Sequence, residues 1–552
     1  MKYKLLLIMS LTLFLFSCGG GSDSVTQAVN TTSITSISNS TGASGTYTLS
    51  ASGLEGKEVY ALITNANLSS SSSEIINITG VSSMVSSSKS STVSKDEMLP
   101  RIDIDGKFTK NLPELVKGKS VTTLKSSTVS KDYTVTSPNT FKVSLTDNSN
   151  SMGSDTETTI TATLIAQNTG DVTVNIWVDN TAIPYMALNP TYAQNLLNNF
   201  YSLTNLNNIY KNITNIYGAE WGTHNYIDLI DYSGNIDILL TPLNQYYNSS
   251  ASGFVMGYFS PGDTFTTASY SRSNERNMFY IDSNLFFKDT SLSAEKEAYY
   301  HDEIYSTLAH EFTHMLMWYQ KSILKNASAE TWLDETMAMI SEDLMDDKIT
   351  LESGTLEGSK SRIDGFNATY NNIPVIYKGL SEYYGLKNYA SDGVFGLYLT
   401  RAYGTSGLAF LKNIMQSTYT SYDAIENVTG ESFSTILQNY GKALMLSSDS
   451  TITSSKISMN KTFSTSYGSY TYNFEPVNIF NTSSYNTFNY LSSAVEGSGT
   501  SFRKIKGSTG ATGNWTFTIP SNNMPFQIIV KNADGSFDSA TTSTLNSAIV
   551  KN

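Results

Sequence analysis

At 552 residues the chain is too long for one ordinary hydrophobic core, so about two to four domains are expected. Only 15% of residues are charged and the formal net charge is −13, which argues against a nucleic-acid backbone as partner and leaves no basic patch for an anionic membrane. A single cysteine rules out a disulfide framework, while the abundance of Ser, Thr and Asn and the 35 tyrosines belong to a polar, strand-rich surface of extracellular type.

That cysteine closes Leu15-Phe16-Ser17-Cys18, behind a cationic start (Lys2, Lys4) and an apolar run of about a dozen residues. The pattern predicts a bacterial secretory signal over 1–18 with lipid attachment at Cys18, and it is too short to stay as a spanning helix. The expected location is the bacterial cell envelope, with the membrane engaged through the lipid. Residues 19–44 show no periodicity and read as a flexible tether. Over 45–170, alternating runs at 46–50, 59–63, 133–136, 140–145 and 158–165 predict short strands, interrupted by serine runs at 69–73 and 82–91. Lys-Ser-Ser-Thr-Val-Ser-Lys-Asp occurs at 89–96 and again at 125–132, and two copies do not make a solenoid. A small β-sandwich with loose insertions and a propeptide over an active site both fit this region.

A central domain is expected over 171–448. Its first strand is 172–179, followed by a long helix over 189–217 with Leu196, Leu197, Phe200 and Tyr201 at helical spacing. Further strands are predicted at 235–240 and 277–283, with a glycine-rich, aromatic surface loop at 253–265 between them. Next comes a helix whose apolar stripe is Ile304, Leu308, Phe312, Met315, Leu316 and Tyr319. It carries the run His310-Glu311-Phe312-Thr313-His314, whose two histidines lie on another face. Histidines at i and i+4 can share one tetrahedral metal, and Glu311 beside them can take a proton from an attacking water.

Two imidazoles leave a catalytic zinc one protein ligand short. His224 and His301 both precede the motif, and Met317 replaces the glycine of the extended three-histidine pattern, so a carboxylate remains. Trp332-Leu333-Asp334-Glu335 opens a second helix with Leu333, Met337, Ile340 and Leu344 on its stripe and Glu335 on the opposite side. Glu335 is the expected ligand, the alternative being a plain acid favoured by the helix dipole. Glu342, two turns on and on the same face, is the second choice. Asp334, rotated about 100° from Glu335 and shorter, is expected to bond a ligand from behind or to cap the helix.

A helix bearing His-Glu-x-x-His, followed about twenty residues later by Trp-Leu-Asp-Glu, resembles the gluzincin metallopeptidases. The surrounding text, Ser306-Thr-Leu-Ala-His-Glu-Phe-Thr-His-Met315 with Met278-Phe-Tyr-Ile-Asp-Ser283 upstream, is similar in particular to the hyicolysin-like zinc peptidases. The likeness runs over roughly residues 170–420, with Asp334 standing where such enzymes often carry asparagine. It implies one catalytic zinc on His310, His314 and Glu335, with Glu311 as general base and a protein or peptide as substrate. It also implies an edge strand at or beside 277–283 on which an extended peptide pairs. An oxyanion donor is needed, and the resemblance points to Tyr389, near the start of a helical pattern and shortly before Gly393. Asp392 lacks the glycine–threonine context of the zinc enzymes that ligate through an aspartate.

Beyond Glu335, the acidic run 342–347 reads as a solvated helix end, and after about 449 helical signals fade. Strand patterns at 470–474, 480–490, 514–519 and 525–530 predict a β-rich domain over 449–552. The expected fold is α+β: a gluzincin-type core of mixed sheet plus helical subdomain, flanked by β-rich terminal domains. The expected function is lipid-anchored zinc endopeptidase. An exopeptidase with the same zinc chemistry, and a surface binding protein or adhesin on a degenerate peptidase scaffold, are the rival readings.

Overall fold

In the computed structural model the described residues are 44–68, 73–81, 101–102, 133–145, 156–187, 190–231, 234–243, 254–287, 294–349, 351, 362–363, 365–367, 374–377, 385–480 and 494–537. Cys18, the tether up to residue 43 and both octapeptide copies lie outside them. The centre is a six-stranded mixed sheet of β1 (Pro138–Leu145), β2 (Thr156–Thr169), β3 (Thr173–Asp179), β4 (Asn235–Thr241), β5 (Gly257–Phe259) and β6 (Met278–Asp282), in the order β5-β6-β4-β3-β2-β1. Strands β3, β4 and β6 run parallel. Their sequences are nearly continuous apolar runs because both faces are covered. Since β1 and β2 add to β3 in antiparallel fashion, the sheet begins earlier in the chain than the expected boundary at Asp171. The stretch 133–136 is a turn, not a strand, with Thr136 at φ 79°.

The expected surface loop at 253–265 is instead part of the buried core. Edge strand β5 pairs antiparallel with β6, and the 3-10 turn Pro261–Thr264 that follows is also buried. Tertiary contacts hold this glycine-rich segment in place. Tyr258 stacks on Tyr280 at 4.2 Å, and Asp263 accepts hydrogen bonds from Tyr280 Oη (2.7 Å) and Asn274 Nδ2 (2.8 Å). Just before β5, Phe254–Val255 pairs in parallel with Arg101–Ile102, so the N-terminal region reaches this edge.

The single helix expected over 189–217 is two, α1 (Tyr192–Phe200) and α2 (Ile209–Tyr217). Polar side chains break it: Asn208 accepts from Lys211 N at 3.0 Å as the cap of α2 and donates to Asn205 O at 2.6 Å. Helix α1 packs on the sheet, where Phe200 meets Phe279 at a ring distance of 5.6 Å and Phe312 of the next long helix at 5.1 Å, while α2 packs against α1 and that helix. Helix α3 (Ala294–Met317) lies against β5 and β6. Its stripe of Ile304, Leu308, Phe312, Met315 and Leu316 is buried in the main core. A helical subdomain follows with α4 (Thr331–Met345), α5 (Gly385–Tyr403) and α6 (Phe433–Met445).

The terminal β segments, expected as separate domains, interleave into one unit. Strand Glu58–Thr64 lies between Thr500–Lys506 and Phe526–Lys531, and Gly45–Ser52 with Asn77–Thr79 flanks Thr512–Ile519. Leu49, Ile63, Trp515 and Phe526 fill the space between these sheets. The unit sits on α6 at Gly441, where a Cβ would stand 2.8 Å from Leu62 Cδ1. The architecture is thus a mixed α+β core with a helical subdomain, flanked by smaller β-rich sheets. No helix among the described residues is long and apolar enough to cross a membrane.

Candidate metal centre

One helical turn separates His310 from His314, so both imidazoles leave α3 toward α4, with ring centroids 4.8 Å apart. From α4, Glu335 brings Oε2 to 3.3 Å from His310 Nε2 and 3.7 Å from His314 Nε2. The three donor atoms all lie within 4.8 Å of one another, and all three residues are buried. Glu335 Oε2 makes no hydrogen bond although it is buried, which is expensive unless a cation completes it. Two imidazole nitrogens and one carboxylate oxygen are a catalytic zinc donor set with a coordination position to spare. Ca2+, which takes six to eight oxygens, fits it poorly.

Behind each imidazole stands another carboxylate. His310 Nδ1 lies 2.7 Å from Glu342 Oε1, whose Oε2 accepts from Ser306 Oγ at 2.9 Å. His314 Nδ1 lies 2.9 Å from Asp334 Oδ1. A carboxylate at Nδ1 keeps the proton there, so Nε2 presents its lone pair to the metal and the ring orientation is fixed. Glu342 is therefore neither a ligand nor part of a solvated helix end. It is buried, as is Asp343, which pairs with Arg401. Helices α3 and α4 run against each other so that the start of α4 meets His314 and its later turns meet His310. The period placed Glu342 on the face of Glu335; which imidazole it met depended on how the two helices cross.

Glu311 is also fully buried, one position from His310, with its side chain against the edge strand. A Cβ on Gly257 of β5 would stand 3.1 Å from Glu311 Cγ and 2.8 Å from both Thr307 Cγ2 and Tyr280 O. Glycine at this position therefore lets β5 close onto α3 beside Glu311. Of the strands expected to form the edge, β6 is interior and its neighbour β5 is the terminal strand of the sheet among the described residues. Tyr389 is buried on the second turn of α5, with the Arg362 guanidinium 5.9 Å from its ring centre. His224 and His301 stand apart from the cluster; each places Nε2 2.9 Å from a backbone oxygen, of Ile230 and Phe286 respectively.

The peptidase M30 family profile matches residues 154–470, more than half of the chain. The neutral metalloprotease ShpI of Staphylococcus hyicus is 30% identical over 206 residues, which is 36% of this chain and 42% of that protein. The chain thus matches less than half the length of this relative. The matched stretch contains the two helices that carry His310, Glu311, His314 and Glu335, and on this footing the chain belongs to the peptidase M30 family.

Proposed function

We propose that this protein is a zinc-dependent endopeptidase, held at the bacterial cell envelope by a lipid on Cys18. The observation that carries the catalytic reading is the convergence of His310, His314 and Glu335, each imidazole backed by its own carboxylate, with Glu311 alongside. Zinc, when bound there, would supply a Lewis acid for a peptide carbonyl and an attacking water. The Glu311 carboxylate takes the proton of the water and returns it to the leaving amine. The outer strand β5 pairs with the backbone of an extended substrate and holds the scissile bond beside Glu311. Tyr389 of α5 donates to the developing oxyanion. The name of the staphylococcal relative supports protein as the substrate.

The full chain should be incubated with an unstructured protein and the products sequenced. Internal cuts are expected, abolished by a chelator and restored by zinc. Glu311→Gln, which keeps shape but accepts no proton from water, should lower turnover by about 10²–10⁴-fold with zinc retained. Terminal trimming alone would place the chain among exopeptidases. No cleavage by zinc-loaded protein would favour a binding protein on a peptidase scaffold. For the anchor, Cys18→Ala should move the protein from the membrane fraction to the soluble one, and unchanged detergent partitioning would refute lipid attachment.

A further inference from the structure

Helix α5 forms a wall beside Glu335. Its Gly396 approaches α4 so closely that a Cβ would stand 3.1 Å from Ile340 Cγ1 and 3.4 Å from Thr336 O. One turn before Gly396 and on the same face is Asp392, which therefore lies along the Thr336 turn, next to Glu335. Asp392 is fully buried and accepts a 2.6 Å hydrogen bond from the phenol of Tyr377. Burial pushes the Asp392 carboxyl well above the usual carboxylate range, the Tyr377 bond opposes this, and the charge of Glu335 adds to it. The Tyr377 phenol is likewise raised by burial, then by the charges of Asp392, Glu335 and Tyr389. These four groups lie within one another's fields.

The backbone at 374–376, just before Tyr377, is gripped from two sides. Ser391 of α5 donates through Oγ to Pro374 O at 3.3 Å. From the terminal β unit, Ser498 Oγ accepts from Ile376 N at 2.8 Å, and Ser498 O accepts from Val375 N at 3.4 Å. Ser498 is buried at φ 58°, a left-handed conformation that a non-glycine residue keeps only when its surroundings impose it. Its own N–H donates to Asn67 O at 2.9 Å, tying it to the N-terminal strands as well.

We propose that Tyr377 and Asp392 are positioning residues of the active centre: their bond fixes the first turns of α5 against the Glu335 turn, and Ser498 of the terminal β unit holds Tyr377 in place for it. Tyr389, three residues before Asp392 on the same helix face, is the group whose place they set. This rests on the zinc-peptidase reading above.

Tyr377→Phe keeps the ring and removes only the hydroxyl. It should lower kcat about tenfold, with KM and bound zinc unchanged. Asp392→Asn, whose amide oxygen still accepts from the phenol, should stay within about threefold of wild type, whereas Asp392→Leu should lose at least as much as Tyr377→Phe. The deciding measurement is a double-mutant cycle. In a Tyr389→Phe background, Tyr377→Phe should lower kcat no further, because its effect passes through Tyr389. Ser498→Ala, which leaves phenol and carboxylate intact, should show the same kcat-only loss at smaller size and provides a second route if Tyr377→Phe folds poorly. Wild-type kcat in Tyr377→Phe or in Tyr389→Phe, or the same fractional loss in both backgrounds, would overturn the proposal. Glu311→Gln is assayed alongside. If it cleaves like wild type, the peptidase reading itself fails; if it is inactive while Tyr377→Phe is fully active, only the positioning role fails.

Discussion

At the scale of single residues, the two metal-facing histidines differ in what stands behind them. His310 is backed by Glu342, which is buried, and His314 by Asp334, whose side chain is 17% exposed. Removing Glu342 leaves a buried imidazole Nδ1–H and the Ser306 hydroxyl without their acceptor, and water does not readily reach them. Glu342→Ala should therefore weaken zinc binding by about 10–100-fold, and Asp334→Asn by less, because an amide oxygen still accepts from Nδ1. Zinc retained after dialysis against graded chelator ranks the two, and the reverse order would contradict the geometry. Glu335→Ala should fall below both, since it removes a ligand outright. Another buried acid, Glu220, lies outside the His310, His314 and Glu335 cluster. Burial raises its pKa from 4.5 to about 7, partly offset by hydrogen bonds that include one from the Tyr210 phenol. The folded form holds this proton more tightly than the unfolded one, so stability is lost as pH rises from about 4.5 to 7. The loss above that window is on the order of 3 kcal/mol. Glu220→Gln should melt close to wild type at pH 5 and a few degrees higher at pH 8. Parallel pH dependence in the two proteins would count against the assignment.

At the scale of elements, β5 and α3 act as one device. The helix carries Glu311 and two of the metal-facing residues, and the strand packs against it in a contact that depends on residue 257 having no side chain. Gly257→Ala should push β5 off α3, lowering kcat/KM about tenfold or more while zinc stays bound, since no ligand lies on the strand. Simultaneous loss of zinc would show that the strand also supports the ligand helix. This element was hidden in the sequence. Glycines, aromatics and a proline within a dozen residues read as a loop, and only the stack of Tyr258 on Tyr280 and the bonds to Asp263 turn the stretch into buried structure. Helix α3 was legible because its apolar stripe and its ligand face are both set by a local period of 3.6 residues.

At the scale of the whole molecule, the N-terminal strands are structural partners of the C-terminal ones. Val59, Ala61 and Ile63 are fully buried in a strand with an antiparallel neighbour on each side. If a protease site is engineered into 103–132 and cut, the N-terminal fragment should co-elute with the rest of the chain under native conditions and separate only in denaturant. Release of the fragment without denaturant would instead support the propeptide reading of this region. Boundaries drawn from composition at Asp171 and near Asp449 separated segments that the fold joins, because strand pairing between residues hundreds of positions apart leaves no mark on local patterning. By itself the sequence determined the metal helix, His310 and His314 as its metal-facing residues, and the need for a carboxylate from the next helix. Those follow from side-chain chemistry and the spacing of a single helix, and such information is local. The sequence left Asp334 behind a ligand or at the helix cap, and only the tertiary structure decided that it stands behind His314, that Glu342 stands behind His310, that β5 is the terminal strand of the sheet among the described residues, and that Tyr377, Asp392 and Ser498 meet near Glu335. Each of these depends on how separately formed elements cross, and the crossing is set by the packing of all their faces at once.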